Sequence, residues 1–448
     1  MFHFSFRVRG FAAAIAVALV VCVGATPAWA AEKPLSLSEA LATAISRSQQ
    51  LVAQDAVAAA AREQAVSAAQ LPDPVLKLGV DNLPVNGDDR FSLTNDFMTM
   101  RRIGIMQELP RAQKRQLRGE RFERDAERAL AERNVALAAV QRSTATAWLD
   151  RYYTLAMRDL VRQQLVETQL QVQAAQTAFG SGRGTQADVF AGRTALIMLE
   201  DRLSQIDRQA RSATLMLQRW VGDAAAQRLP DGPPPWQSAS PHSAPAREKL
   251  LQHPDMQVQS AMLATAQTEQ QLAQADTAAD WSVEVSYAQR GAAYSNMLSF
   301  GVSIPLQLDQ KNRQHREIAA KQALVQEAQA RLDDMLRAHE VEQRGLQNDW
   351  ENGKERLARY NDQLVPTAQQ RTQAALAGYR SGKGDLAGVL AARRDEIDTR
   401  VQALVLEQET ARVWAQLFYL TPDSSYTNNN VRQIQAGSSA ATAIKELP

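Results

Sequence analysis

The sequence has almost no cysteine, because Cys22 is the only one among its 448 residues. A single thiol cannot form an intrachain disulfide or supply the thiolates of a structural zinc site. Aromatic residues are also scarce, at 6%, and the formal net charge is only +1. The scarcity of aromatics argues against an ordinary large globular core, and the balanced charge provides no overall attraction to nucleic acid. The sequence is rich in Ala, Gln, Arg, Glu and Leu, a composition that favours long helices.

The only long apolar run is at the N-terminus. Arg7 and Arg9 precede the apolar stretch Phe11–Val23, and Ala28-Trp29-Ala30 places small residues where a signal peptidase cuts. This pattern predicts a secretory signal peptide over residues 1–30. Lipidation of Cys22 is the open alternative for this segment. No later stretch approaches the roughly 18 continuous apolar residues of a transmembrane helix, so we expect an exported chain that is either soluble or inserted as strands.

A short segment that occurs twice organises the rest of the chain. Phe179-Gly-Ser-Gly182-Arg183-Gly184 recurs 200 positions later as Tyr379-Arg-Ser-Gly382-Lys383-Gly384. The joint between strand and helix repeats as well, since Gln113-Lys114 follows Gly104 at the spacing at which Gln310-Lys311 follows Gly301. The sequence therefore predicts an internally duplicated chain.

Each repeat is predicted to contain a helix, two strands, a very long helix and a return helix. A helix of about 70 residues would be on the order of 100 Å long and needs partner helices along its length. Pro366 lies inside the second long helix and predicts a kink or local break. The first repeat is predicted to span 31–229, with strands at about 75–109, the long helix at 110–178 and the return helix at 185–221. A linker follows at 230–245. The second repeat is predicted to span 246–420, with strands at about 281–304, the long helix at 307–377 and the return helix at 385–420, before a polar tail at 421–448.

The strand segments alternate between apolar and polar residues. In 281–288, for example, Trp281, Val283, Val285 and Tyr287 alternate with polar or small residues. This period of two is typical of an outer-membrane barrel wall, although a soluble sheet with one buried face gives the same pattern. Four strands are too few to close a barrel, which needs about eight. If the strands form a barrel, several chains must contribute to it.

The second long helix carries a coiled-coil seam. Its apolar and small residues recur at spacings of four and three, the pattern by which long helices pack side by side. The seam comprises Leu346, Trp350, Gly353, Leu357, Tyr360 and Leu364.

Taken together, three features resemble the TolC-like outer membrane factor family over essentially the whole mature chain. They are the opening Leu35-Ser-Leu-Ser-Glu39-Ala40-Leu41, the duplicated unit, and the glycine loops before Val189 and Val389. The resemblance implies a mainly α protomer with a small β part, forming a homotrimer in which a 12-stranded β-barrel in the cell outer membrane joins a periplasmic α-helical barrel. It implies a non-enzymatic channel without cofactors, which serves a tripartite efflux system with a periplasmic membrane-fusion adaptor and an inner-membrane RND-type pump. The implied partners are these proteins, further copies of the chain and outer-membrane lipid, with no nucleic acid.

The resemblance also gives the glycine loops a place, the periplasmic tip of the tunnel. It implies adaptor contact by residues of both loops, which are Gly182, Arg183, Gly184, Gly382, Lys383 and Gly384. The acidic pair that some relatives carry after the second loop is replaced here by Gly388 and Ala391. Asp188 and Asp385 are therefore the candidates for a gate built from three copies, and a helix N-cap is an equally good explanation of Asp385.

The segment from Leu83 to Pro110 resembles the heavy-metal branch of the family. This makes heavy-metal cations the predicted cargo, with Met98, Met100 and Met106 as speculative soft-metal contacts. Packing is the more common role of such methionines. A multidrug efflux channel and a type I secretion channel remain open, as does a periplasmic coiled-coil adaptor, a protein of another class.

Other chemistry finds little support in the sequence. The Gly378–Lys383 segment is one residue short of a phosphate-binding loop and lacks its Ser or Thr. The histidines after the signal peptide show no metal-ligand spacing, so we expect solvated surface roles for His242, His253, His315 and His339. No Ser/His/Asp set can be nominated, and an enzyme is not predicted.

Overall fold

A computed structural model describes residues 34–232, 236, 250–251 and 253–423. The predicted signal peptide, Cys22, His242, most of the predicted linker and nearly all of the predicted tail lie outside the described residues. The elements follow in the order α1 (Leu37–Arg47), α2 (Gln49–Ala68), β1 (Val75–Asp81), β2 (Met100–Leu109), α3 (Ala112–Gly180), α4 (Gln186–Val221), α5 (Pro254–Ala275), β3 (Trp281–Gln289), β4 (Met297–Ser303), α6 (Gln314–Arg359), a π turn (Tyr360–Leu364), α7 (Val365–Arg380) and α8 (Leu386–Phe418).

The opening motif is fixed in place by a capping box and a buried indole. Ser36 Oγ accepts a hydrogen bond from the Glu39 amide at 3.2 Å, and the Glu39 carboxylate accepts one from the Ser36 amide at 3.1 Å. The carbonyl of Leu35 accepts from Trp148 Nε1 at 3.0 Å. Leu41 and Trp148 belong to the largest hydrophobic cluster of the described residues. The motif thus starts α1 and ties it to the middle of α3.

Helix α3 is the longest helix of the described chain, with 69 residues and a length of about 100 Å. Its first half packs against α2 and α5, and its second half packs against α4 and α8. Glu269 on α5 links three helices through ion pairs to Arg121 of α3 at 3.0 Å and Lys321 of α6 at 2.9 Å. Burial alone would raise the pKa of Glu269, but the two cations outweigh it and hold that pKa below its usual value.

Two helix boundaries differ from those predicted. The helix predicted before the first strand is divided at Ser48, which has an extended conformation (φ −71°, ψ 105°). The second long helix begins at Gln314 and not at 307, because Asp309 accepts hydrogen bonds from Asn312 and stabilises a turn that competes with the helix. The predicted start of the second repeat's first helix, at 246, lies outside the described residues, and the helix is present over Pro254–Ala275.

The predicted break at Pro366 is present as a π turn over Tyr360–Leu364, between α6 and α7. Proline has no amide hydrogen to donate one turn back, and its ring crowds the preceding carbonyls, so a widened turn accommodates it. The predicted seam packs against α8 through Trp350 and Gly353. It ends before Leu364, whose side chain is exposed.

The strands form one antiparallel sheet in the order β1-β2-β3-β4. The central pairing, β2 with β3, joins the two repeats and sets Gly104 opposite Ser286. A Cβ at Gly104 would lie 2.8 Å from the Ser286 Cβ, so only glycine fits at this contact. Since the outer neighbours of β2 and β3 are β1 and β4, each repeat contributes one hairpin-like half of the sheet.

Among the described residues, no helix combines the length and the apolar character needed to cross a membrane.

The close approach of α6 and α8 at Gly353 generates a prediction. A Cβ at Gly353 would lie 2.6 Å from Thr410 Oγ1, whereas Gly345 on the same helix faces open space. We expect Gly353→Ala to destabilise the protein by about 1–3 kcal/mol through overpacking. Gly345→Ala, the matched control, should stabilise it by up to about 1 kcal/mol because alanine favours the helix.

The measurement is the thermal midpoint of the purified protein. Adding Thr410→Ala removes both nearest side-chain atoms and should recover most of the loss. A Gly353→Ala midpoint equal to that of Gly345→Ala would contradict this account of the helix contact.

Candidate functional site

The sheet has one continuous apolar face. Leu78, Ile103, Tyr287 and Leu298 lie side by side in one row across the four strands. The next row is Leu76, Ile105, Val285 and Phe300. These side chains are exposed, up to 76% for Phe300. An exposed apolar area that spans a whole sheet marks a surface that lipid or protein covers.

The opposite face of the sheet is polar and carries two ion pairs. Lys77 of β1 reaches Glu284 of β3 at 2.5 Å, and Arg102 of β2 reaches Asp81 at 3.1 Å. Within the described residues, β1 and β4 each pair along one side only. The sheet thus presents one apolar face, one charged face and two open edges.

A buried lysine holds the sheet to the helices. Lys114, near the start of α3, has a side chain that is only 3% exposed. Its ammonium donates to the Ala278 carbonyl at 2.6 Å and lies 2.9 Å from Asp280 and 3.3 Å from Asp276. These three acceptors belong to the turn between α5 and β3, so one repeat's helix is bonded to the other repeat's strand. Its counterpart Lys311 is exposed.

At the other end of the long helices, the two glycine loops have the same hydrogen bonds. The amides of Gly182 and Gly382 donate to the carbonyls of Phe179 and Tyr379, each at 3.0 Å. Both glycines have positive φ, +73° and +72°, a conformation that other residues adopt at a cost. A Cβ at Gly184 would lie 3.0 Å from the Phe179 amide nitrogen, so the loop is compact. The sequence repeat is thus a repeat of one turn geometry.

The two acidic candidates both cap helices. Asp385 is the N-cap of α8, and its Oδ1 accepts from the Gly388 amide at 2.8 Å. In α4 the N-cap is Thr185, and Asp188 completes its capping box by accepting from the Thr185 amide at 3.1 Å. The two repeats therefore place a carboxylate at different positions of the same helix start. Both aspartates remain outside the hydrophobic core.

The two tips pack against each other. Val189 and Val389, the residues that follow the loops at equal spacing, are buried in one cluster together with Ala175 and Leu386. The basic residues Arg183 and Lys383 are exposed beside it. The structure thus brings all six predicted contact residues to one end of the molecule.

A groove of about 500 Å³ runs between α4 and α8 just behind the tips. Its wall is largely apolar, with Met198 and Leu199 on one side and Leu390 and Ile397 on the other. An ion pair between Arg202 and Asp398 joins the two helices at this groove.

The three predicted methionine contacts are not brought together. Met100 and Met106 lie on β2, six residues and therefore about 20 Å apart, and Met98 precedes the strand. Met100 pairs with Asp81 and Met106 with Val75 and Glu284, on the polar face. One chain cannot coordinate a single ion with all three.

The expectation of solvated histidines is wrong for His253. This residue is 8% exposed and its ring lies 4.7 Å, centre to centre, from that of His339. Asp255 lies between them, and His253 beside it is the main cause of a lowered pKa at that carboxylate. No sequence pattern indicates this pair, because only the packing of α5 on α6 brings residues 253 and 339 together.

Comparison with known proteins reveals the fold but no close relative in sequence. No protein-family model and no curated protein matches the chain. Among solved structures, the outer-membrane channel OprN superposes with a TM-score of 0.70 at 17% identity, over 86% of this chain and 90% of that one. The described protomer therefore has the fold of this channel.

Two further channels have the same fold. A structure of CusC, described in terms of transmembrane channel formation, gives a TM-score of 0.70 at 16% identity, with 88% of this chain and 94% of that one covered. The open state of the Neisseria gonorrhoeae MtrE outer membrane channel gives 0.72 at 15% identity, with 86% and 88% covered. Because each superposition covers most of both chains, neither channel contains a large domain that this chain lacks.

The glycine loops generate a prediction about the stability of the tip. Gly182→Ala forces alanine into the left-handed region, at a cost of about 1–2 kcal/mol. We expect the amides of Arg183 and Gly184, which donate to the Ala178 carbonyl, to exchange with solvent roughly 5–30 times faster. Gly180→Ala, at a helical position facing open space, is the matched control and should not speed exchange. Equal exchange in the two variants would contradict the assigned loop geometry.

Proposed function

We propose that the protein is a trimeric outer-membrane channel of a tripartite efflux system. The observation that carries this proposal is the exposed apolar face of a four-stranded sheet with two open edges, at one end of a helical rod about 100 Å long. Lipid is the solvent that such a face fits, and an open edge cannot stay unpaired in lipid. Three copies close twelve strands into a barrel, the arrangement that the resemblance implies.

The duplication supplies the register between neighbouring protomers. Gly301 corresponds to Gly104 through the repeated joint, and Glu284 corresponds to Lys77 because each lies opposite one of these glycines. Transferring the observed β2–β3 pairing to β4 and the next protomer's β1 sets Val302 opposite Leu78 and Phe300 opposite Val80. All four of these residues lie on the apolar face. The transferred register therefore continues the face around a closed barrel.

The same operation assigns a partner to Lys311. By this correspondence the Asp280 position is Asp73, which lies just before β1 and is exposed. Lys311 then reaches Asp73 of the next protomer as Lys114 reaches Asp280 within the chain. Alternating joints of this kind connect six repeat units around the trimer.

At the far end, six tips would surround the mouth of a helical tunnel. The exposed Arg183 and Lys383 and the apolar groove between α4 and α8 are the surfaces that we assign to the periplasmic adaptor, with the inner-membrane pump behind it. Three copies of Asp188 or Asp385 would give the mouth a cation-attracting ring. Their capping bonds would keep these carboxylates fixed at the helix starts.

Heavy-metal cations are the proposed cargo, on the resemblance of the segment between β1 and α3 to the heavy-metal branch. A multidrug or secretion channel would have the same fold and is the second candidate. A periplasmic adaptor is disfavoured by the duplicated unit and by the membrane-suited sheet.

A pair of arginine substitutions tests both the channel function and the placement of the apolar face of the sheet in lipid. Phe300→Arg places a charge on the apolar face, at a cost of about 2–4 kcal/mol near the bilayer midplane, so we expect loss of outer-membrane trimer. Ser299→Arg on the opposite face is the control and should assemble normally. Cells with Phe300→Arg should become as sensitive to exported toxins as a deletion strain. A stable membrane trimer of Phe300→Arg would contradict the placement of this face in lipid.

The panel of toxins in that experiment also decides the cargo. We expect sensitivity to metal salts such as those of zinc, cobalt, cadmium, copper and silver. Unchanged metal tolerance combined with new sensitivity to drugs or dyes would contradict the metal assignment and support the multidrug alternative.

A charge swap tests the joint between protomers. Lys311→Asp sets two carboxylates against each other at each interface, and loss of a buried pair costs about 3–5 kcal/mol. We expect the trimer to dissociate at a lower temperature on gels, and Asp73→Lys combined with Lys311→Asp to restore it. Lys383→Asp, at the opposite end, is the control. A normal dissociation temperature in Lys311→Asp, or a double variant that fails to recover, would contradict the transferred pairing.

A further inference from the structure

The cluster of His253, Asp255 and His339 lies outside the sheet and the tips. Each residue offers one ligand atom, and these atoms lie within 4.8 Å of one another. His253 and Asp255 are at the start of α5, and His339 is on α6. The cluster is beside a small apolar core that contains Met256 and Leu336. The cluster therefore lies at the packed contact between α5 and α6.

The Asp255 carboxylate lies between the two histidine rings, and His253 Nδ1 also accepts a hydrogen bond from the Asp255 amide at 3.4 Å. The Asp255 carboxylate is 3.3 Å from His253 Nδ1 and 3.8 Å from His339 Nε2. His253 Nε2 is buried without a hydrogen-bond partner. On the far side of its ring, His339 Nδ1 lies 3.3 Å from the Glu342 carboxylate. A carboxylate behind a histidine is the usual outer partner that orients a metal-binding imidazole.

The charges around the cluster favour a cation. His253 is the N-cap of α5, the positive end of a helix, but Asp255 in the first turn offsets it. Arg142 of α3 adds one positive charge near Asp255, and Glu342 adds a second negative one. Two carboxylates therefore face one arginine and two histidines that bind metals in the neutral form.

We propose that His253, Asp255 and His339 bind a divalent transition-metal ion of the zinc class. Two imidazoles and one carboxylate are the donors of three-ligand zinc sites, which leave a fourth position open. Donor atoms on tetrahedral zinc are roughly 3.3 Å apart, given bonds of about 2.0–2.1 Å, so ligand atoms that lie within 4.8 Å of one another would have to approach by at most about 1.5 Å. The three donors are nitrogen and oxygen atoms, which suit zinc-class ions better than the soft ions Cu(I) and Ag(I). Such an ion would clamp the start of α5 to the middle of α6.

The experiment uses the purified full trimer, stripped with chelator and then titrated with Co²⁺ by visible spectroscopy and Zn²⁺ by calorimetry. We expect one ion per chain in the natural protein and in His315→Ala, the control, because His315 is exposed elsewhere near the start of α6. His339→Ala should weaken binding by at least tenfold. Asp255→Asn, nearly identical in shape, should do the same and carries the test if His339→Ala fails to fold.

Zinc should also raise the thermal midpoint of the natural protein and of His315→Ala, but not that of the two site variants. Absence of stoichiometric binding, or equal affinity in all four proteins, would overturn the proposal. Because binding is measured without transport, its failure leaves the channel proposal untouched.

Discussion

Unpaired backbone groups at the two edges of the sheet are the constraint on which the rest of the structure depends. β1 and β4 each have one side without a strand partner among the described residues, and their apolar side chains face outward. Water can satisfy such edges, but lipid cannot, so in the proposed membrane setting the sheet would have to be closed by other copies of itself. In the proposed trimer each copy would also supply helices that enclose a tunnel, which one chain alone cannot do.

Internal duplication solves this closure with one repeated unit. A strand pair, a lysine after the strand-to-helix joint and a glycine-turned hairpin occur twice, so in the proposed trimer the contacts between the repeats of one chain would be templates for contacts between chains. The β2–β3 pairing and the Lys114 cluster are the observed templates. The repeats differ at the start of the return helices, where Thr185 caps α4 and Asp385 caps α8. In the proposed trimer this difference would alternate the position of negative charge around the tip.

Local pattern predicted much of this architecture. Alternation in 281–288 gave the apolar face of β3, and the two glycine loops predicted matching turns because positive φ at Gly182 and Gly382 depends on local chain geometry. The turn before α6 was missed, since the Asp309–Asn312 bonds compete with a helix that the composition favours. The pairing of His253 with His339 was missed because it arises from tertiary packing across 86 positions (339 − 253). Conversely, Met100 and Met106 are close in sequence yet far apart in space, because a strand is extended.

An engineered disulfide tests the central claim, that β4 of one protomer pairs with β1 of the next. The only native cysteine, Cys22, lies in the predicted signal peptide, so Leu78→Cys with Val302→Cys gives a clean background. Within one chain these positions are on opposite edges of the sheet, about 14 Å apart across the strands and about 13 Å apart along them. The resulting separation of about 19 Å is far beyond the roughly 4.4–6.8 Å that a disulfide allows between Cα atoms. Oxidation of cells should therefore yield a covalent trimer on non-reducing gels. A product that stays monomeric while both cysteines are accessible would contradict the account.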